Sequence, residues 1–314
     1  MKNNHIICGD ALESLTAMPR ESVDCIVTSP PYYGLRDYGV RGQIGLEPTP
    51  RGFVDRLVAV LREARCVLKD GGTLWLNLGD SYVVTGDKGG WKDPKHPEGR
   101  NAQAVSLTKK VSGLKRKDLI GIPWRVAFAL QEDGWYLRQD IIWHKPNPMP
   151  ESVRDRCTKS HEYIFLLSKS PNYYYDHGAI KEPVSDVSLK RAEYGWDCDR
   201  PSTKNAAMGG SGIHTEKMGT RFVNPDGRNK RSVWTVTTKP FKGAHFATFP
   251  PDLIEPCILA GCPLGGVVLD PFFGSGTTGQ VAQENGRSYV GIELNPEYVD
   301  IAKKRLRRIQ PRLS

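Results

Sequence analysis

Near the C-terminal end of this 314-residue chain, the apolar run Gly266-Val-Val-Leu-Asp270 breaks into Pro271-Phe-Phe-Gly-Ser-Gly-Thr-Thr-Gly279. Glycines spaced as Gly274-x-Gly276-x-x-Gly279, after a strand and at the head of a helix, let the backbone turn sharply and approach a ligand. The first turn of the helix then offers unpaired N–H groups to an anionic group. Glu293 ends the next strand, Ser288 to Leu294, where a carboxylate can accept from ribose hydroxyls. Such a βαβ unit points to a nucleoside cofactor, with plain turn glycines as the alternative. The fingerprint does not choose between a dinucleotide and S-adenosylmethionine.

Little chain remains after Asp270, so the rest of a parallel sheet has to come from earlier residues. His5-Ile-Ile-Cys-Gly-Asp10 reads as a short strand ending in an acid, and Ala11 to Met18 as a helix stopped by Pro19. Ser22 to Thr28 is a second buried strand. The class expected is α/β, a doubly wound, mostly parallel, Rossmann-like sheet. In it the Asp10 strand lies beside the Glu293 strand, and the Thr28 strand lies beside the glycine-loop strand at the switch point where ligands bind.

The turn after Thr28 is chemically pointed. Ser29-Pro30-Pro31-Tyr32 carries two prolines, which fix φ and lack a backbone N–H, so the turn is extended and offers carbonyl acceptors without ladder partners. Tyr32 adds a flat ring beside them. A planar, amine-bearing ring could stack on Tyr32 while its NH2 donates to the Ser29 hydroxyl and a carbonyl, a description that a nucleobase meets. A strand-ending loop with no such role is the competing reading.

The middle of the chain supplies further elements and two basic segments. From Thr49 and Pro50, apolar residues recur at helical spacing through Leu68 until Gly71 and Gly72. Thr73 to Leu78 is a strand, Pro123 to Gln131 a helix, and Tyr136 to Trp143 and Tyr163 to Leu167 two more strands. Val84 to Asp118, rich in Gly, Lys and Arg, reads as a surface loop facing an anion. Lys181 to Lys242 is basic and interleaved with aromatics, including Trp196 and Trp234, which suits a nucleic-acid surface or a linker. The chain thus divides into three regions: 1–180, 181–242 as an inserted recognition region, and 243–314. The net charge of +9 agrees with an acidic partner such as nucleic acid. The seven cysteines contain no Cys-x-x-Cys pair, so they read as buried reduced thiols, and no metal site is expected. No apolar stretch reaches membrane length, and a cytoplasmic location is expected.

Taken together, Asp270-Pro-Phe-x-Gly-x-Gly-Thr, Glu293 after it, and Thr28-Ser-Pro-Pro-Tyr32 ahead of it resemble the amino-group DNA methyltransferases of the β arrangement, in which the catalytic motif precedes the cofactor motif. Ser29, where adenine-N6 members carry Asp or Asn, is similar to the cytosine-N4-specific type. The resemblance implies a seven-stranded methyltransferase sheet with an inserted target recognition region, and S-adenosylmethionine as cofactor. It implies that Ser29, Pro30, Pro31 and Tyr32 are catalytic. Asp270, Phe272, Gly274, Gly276 and Thr277 would hold the methionine part of the cofactor, Glu293 the ribose hydroxyls and Asp10 the adenine amine. Phe273 is an alternative to Phe272 beside the sulfonium, and His245 to Pro250 resembles the segment that closes over the methionine carboxylate. The implied partner is double-stranded DNA, with a cognate restriction endonuclease as a further candidate and a monomer or homodimer as the assembly. Pro256-Cys257 is the only Pro-Cys pair, and its place in a predicted helix makes Cys257 structural rather than a carbon-5 nucleophile. Adenine-N6 methylation is the nearest alternative. A nicotinamide dehydrogenase, the remote one, leaves Thr28 to Tyr32 unexplained.

Overall fold

The computed structural model describes residues 4–83, 113–185, 187, 227–238, 249–307 and 309. Trp196, most of the Val84 to Asp118 segment, the interior of Lys181 to Lys242 and His245 to Thr248 lie outside the described residues. The chain divides into two units, one made of Met1–Asp176 and Arg231–Ser314, the other of His177–Lys230. In the smaller unit, a 3-10 turn spans Gly178–Ile180, and Glu182 and Arg228 pair through two backbone hydrogen bonds of 2.8 Å and an ion pair.

The larger unit contains strands β1 (His5–Cys8), β2 (Val23–Thr28), β3 (Leu68–Leu78), β4 (Tyr136–His144), β5 (His161–Ser168), β6 (Val233–Thr235), β7 (Val267–Asp270) and β8 (Ser288–Glu293). Its helices are α1 (Ala11–Thr16), α2 (Pro50–Val67), α3 (Ile122–Glu132), α4 (Pro251–Gly261), α5 (Thr277–Glu284) and α6 (Pro296–Leu306). The strands form one sheet in the order β1-β8-β7-β2-β3-β5-β4-β6. From β1 to β3 all neighbours are parallel, whereas β5 runs antiparallel to both β3 and β4. The two predicted adjacencies are present, with Cys8 in register with Glu293 and Cys25 with Val268.

Helices cover both faces, as a parallel sheet requires. Leu74, Leu76, Leu78, Phe165, Leu167, Val290 and Ile292 share one apolar cluster with α1, α2 and α3. In α2, Phe53, Leu57, Leu61 and Ala64 fall on one stripe and are fully buried, each large side chain contributing about 1.5–3 kcal/mol of burial. Thr49 caps this helix, its Oγ1 accepting from Gly52 N at 3.0 Å. Thr73 and Trp75 are buried near α4, and a side chain at Gly261 would collide with the Trp75 indole.

Four expectations need correction. The α2 helix ends at Val67, not at the Gly71-Gly72 pair, which belongs to β3. Leu68 is already extended, and Gly72 sits so close to Asp24 O and the Leu68 side chain that a Cβ would clash. The seven-stranded core carries an eighth strand: β6, from the basic segment, joins the sheet edge parallel to β4. Its register places Trp234 beside Trp143, and Trp234 is buried with its ring 6.5 Å from that of Trp75, a core residue and not part of an open nucleic-acid surface. The cysteines are also divided: Cys25, Cys257 and Cys262 are buried free thiols, Cys66 is intermediate, and Cys8 and Cys157 are exposed.

Candidate active site

β2 delivers Ser29 to the carboxyl edge of the sheet, beside the glycine loop that follows β7. The two are fastened by Asp270, only 2% exposed. Its Oδ1 accepts from Thr28 Oγ1 at 2.6 Å and from Phe272 N at 3.0 Å, and its Oδ2 accepts from Thr278 Oγ1 at 2.6 Å. Burial raises its pKa from 3.8 to about 6, against the opposing effect of these hydrogen bonds. The sequence pattern assigned this carboxylate to the cofactor. In the structure Oδ1 joins the Thr28 strand to this loop, and Oδ2 is held by Thr278 of the loop's own helix.

Beyond Ser29, the turn is locked by its tyrosines. Tyr33 is buried, its ring centroid 5.5 Å from that of Phe53. Tyr32 lies so close to Gly79 that a Cβ there would come within 2.4 Å of the ring, so only glycine leaves the ring its place. The Tyr32 hydroxyl donates to Glu162 Oε2 at 2.6 Å and accepts from Asn77 Nδ2 at 2.9 Å. Burial, with the Glu162 carboxylate second, holds its pKa well above the usual phenol value. Asn77 Nδ2 is also 3.3 Å from Ser29 Oγ, and Lys145 Nζ pairs with Glu162 Oε1. Asn77, Glu162 and Lys145 were not singled out by sequence, although an asparagine inside the apolar run Leu74 to Leu78 was a visible signal.

The cofactor side occupies the same edge. Gly276, the N-cap of α5, has φ +82°, and a Cβ there would press on Ala302 at 3.1 Å and on Phe273 at 3.3 Å. Its bareness serves the packing of the loop on α6. Phe273 is buried and stacked on Tyr289 with centroids 5.5 Å apart, whereas Phe272 is partly buried. Thr277 Oγ1 accepts from Arg305 Nη1 at 3.0 Å, and Arg305 also reaches Ser275.

Glu293 Oε2 accepts from Gly274 N at 2.7 Å and its Oε1 from Asn295 N at 2.8 Å, so this carboxylate also shapes the glycine loop. Burial raises its pKa. The loop after the turn approaches it, with Tyr38 packed edge-on against Tyr298 at 6.4 Å. Asp10, just past β1, caps α1 through Oδ1, which accepts from Leu12 N and Glu13 N. A carboxylate offers about four lone-pair sites, so Glu293 retains capacity for two hydroxyls and Asp10 for an amine. These residues therefore fit a nucleoside cofactor carrying a cation, which the partly buried ring of Phe272 could face.

A doubly wound sheet with acids after two neighbouring strands, and a Ser-Pro-Pro-Tyr turn one strand beyond the glycine loop, is the architecture of the Rossmann-like methyltransferases. The comparisons narrow this. A family model described as DNA methylase, of the N6/N4 type, matches residues 23–304. The type II methyltransferase M.Cfr9I of Citrobacter freundii is 54% identical over 298 residues, 95% of this chain and 86% of the relative. M.SmaI of Serratia marcescens is 50% identical, covering 98% and 92%. Among solved structures, TTHA0409 of Thermus thermophilus, complexed with S-adenosyl-L-methionine, superposes with a TM-score of 0.59 at 24% identity, covering 97% of this chain and 93% of that one. The cytosine-N4-specific PvuII DNA methyltransferase gives 0.62 at 18%, covering 100% and 89%. This chain belongs to the N6/N4 DNA methylase family, and it is an S-adenosylmethionine-dependent DNA methyltransferase of type II. No helix among the described residues is long and apolar enough to cross a membrane.

Proposed function

We propose that the protein methylates the exocyclic N4 of cytosine in double-stranded DNA, on a base turned out of the helix. The observation that carries this reading is Ser29: a hydroxyl, not a carboxylate or carboxamide, stands at the head of Pro-Pro-Tyr at the edge where the cofactor residues meet. When bound, S-adenosylmethionine supplies an electrophilic methyl group. The cytosine amine is a poor nucleophile because its lone pair is delocalised into the ring. Ser29 Oγ and the Pro30 carbonyl accept its N–H bonds, draw them out of the ring plane and localise the lone pair on N4; as N4 takes the methyl and the sulfonium becomes a neutral thioether, one amine proton is released to solvent water. Pro30 and Pro31 keep these acceptors fixed, so no reorganisation is needed at the moment of reaction. Turning the base out costs about a few kcal/mol, returned in part by stacking on Tyr32.

Asp10, Asp270, Phe272, Gly274, Gly276, Thr277 and Glu293 form the cofactor edge. Glu293 accepts from the ribose hydroxyls, Asp10 from the adenine amine, and Phe272 faces the sulfonium. Asp270 and Thr277 act chiefly by shaping the loop, given their engagement with Thr28, Thr278 and Arg305. Residues 181–230 read the DNA sequence, a narrower span than 181–242 because Val233–Thr235 belongs to the sheet. The basic segment 84–118 adds phosphate contacts. Mass spectrometry of nucleosides digested from product DNA tests the assignment: N4-methylcytosine is expected. N6-methyladenine alone would transfer the reading to adenine, and 5-methylcytosine would overturn the mechanism.

A further inference from the structure

We infer that Glu162 is a positioning residue for the target base: anchored by Lys145, it holds the Tyr32 ring in the stacking orientation through the phenol hydroxyl. This rests on the amine-methylation reading above. Tyr32 lies in a loop just past the end of β2, where nothing in the local backbone fixes the plane of its ring. Two strands, and the glycine that follows one of them, supply what the loop lacks. Glu162 from β5 takes the hydroxyl proton at 2.6 Å, and Asn77 from β3 donates to the same oxygen at 2.9 Å, so the hydroxyl is used both as donor and as acceptor. Gly79 closes against the ring itself.

Glu162 is in turn fixed. Lys145, just after β4, binds its other oxygen, and the ammonium rests 4.2 Å from the centre of the Trp143 ring. Asn77 is 4% exposed, and its amide also lies 3.2 Å from Glu162 Oε2 and 3.3 Å from Ser29 Oγ, which links the stacking ring to the amine acceptor. A carboxylate oxygen beside Asn77 also decides the orientation of the amide, because a carbonyl turned toward Glu162 would meet a second acceptor. Burial and the adjacent carboxylate keep the phenol protonated, so the anchor does not loosen as pH rises through neutrality. A lysine–glutamate pair present only for stability would not require the phenol as its third member.

A double-mutant cycle on turnover tests this. Glu162→Gln cannot satisfy Tyr32 and Lys145 together, and Tyr32→Phe removes the hydroxyl alone. Each is expected to lower kcat about tenfold, the scale of a lost charge-assisted hydrogen bond, with S-adenosylmethionine affinity unchanged. Because both act on one ring, the double variant should be no slower than the slower single variant. Losses that multiply, or a Glu162→Gln enzyme within about twofold of the parent, would overturn the inference. Should Glu162→Gln not fold, Lys145→Gln removes only the outer member and is read in the same way. Tyrosine labelled with carbon-13 at Cζ gives a readout free of the reaction. The Tyr32 resonance, identified by its loss in Tyr32→Phe, should move in Glu162→Gln, and a fixed resonance refutes the network. A wild-type enzyme that methylates no DNA amine would instead refute the functional reading and leave the resonance to judge Glu162.

Discussion

Thr28 Oγ1 donates to Asp270 Oδ1 at 2.6 Å, joining residues 242 positions apart in the chain. One hydroxyl thereby ties the strand that carries Ser29 to the loop that carries the cofactor glycines. Thr28→Val keeps the shape and deletes the donor, leaving a buried carboxylate oxygen with fewer partners. A loss of about 1–3 kcal/mol in stability is expected, with a fall in kcat because Ser29 is no longer held in register. Denaturant melts and steady-state turnover measure the two effects. A variant with normal stability and turnover would show that the motifs do not depend on this bond.

The same carboxylate sets a pH dependence. Its folded-state pKa, about 6, lies above the ordinary 3.8. For a group raised in this way, the stabilising contribution is fully present below the unfolded value and is lost as pH climbs through the folded one. Wild-type stability should therefore decline between roughly pH 4 and 6.5 by up to about 3 kcal/mol from this group. Asp270→Asn, similar in shape and uncharged, should lack that decline. Calorimetric Tm values across this range decide it, and parallel curves would remove Asp270 as the cause.

Ser29 and Tyr32 should separate on kinetics. Ser29→Ala removes an acceptor that matters most as the amine pyramidalises, so kcat should fall with DNA affinity nearly intact. Tyr32→Ala removes the stacking surface, so the fluorescence of 2-aminopurine at the target position should drop along with turnover. Equal losses of DNA affinity in both variants would contradict this division.

Glu293 combines two duties, so its replacement should be felt twice. Glu293→Ala frees the Gly274 and Asn295 amides and removes the ribose acceptor. S-adenosylmethionine affinity by calorimetry should fall at least about tenfold, accompanied by a modest loss of Tm. Gly276→Val should act mainly on folding, because φ +82° and the contacts to Ala302 and Phe273 leave no place for a branched side chain. Unchanged cofactor affinity in Glu293→Ala would remove Glu293 from the site.

Gly79→Ala is the smallest change that addresses Tyr32. The added methyl falls within 2.4 Å of the ring, and turnover should drop by about tenfold or more while cofactor affinity holds. Normal turnover would mean that the ring has room to shift and still stack.

The parallel half of the sheet was readable because its signals are local. An apolar run ending in Asp10, Thr28, Asp270 or Glu293 marks a strand and its exit, and the rule that ligands gather at carboxyl edges puts these exits together. The glycine loop needed no tertiary information. Glu162 and Lys145 were illegible for the opposite reason: Glu162 lies in β5 and Lys145 just past β4, and only strand order brings them to Tyr32. Trp234 was misread because aromatics among basic residues suit a DNA surface, whereas pairing with β4 turned the ring inward. How Asp270 uses its oxygens was not legible, because its neighbours Thr28 and Thr278 decide it.

The placement of β7 between β2 and β8 also bears on how the chain is made. A nascent polypeptide ending before Val267 holds β2 with β3 on one side only, and the Cys25-Ile26-Val27 segment is then an apolar sheet margin awaiting a partner. Contacts of such wide sequence separation form slowly, because a long loop has to close before they yield any stabilisation. During synthesis the enzyme would thus stay without a cofactor cleft until its last strands emerge. Truncated products would methylate no DNA and would be prone to associate through the open edge.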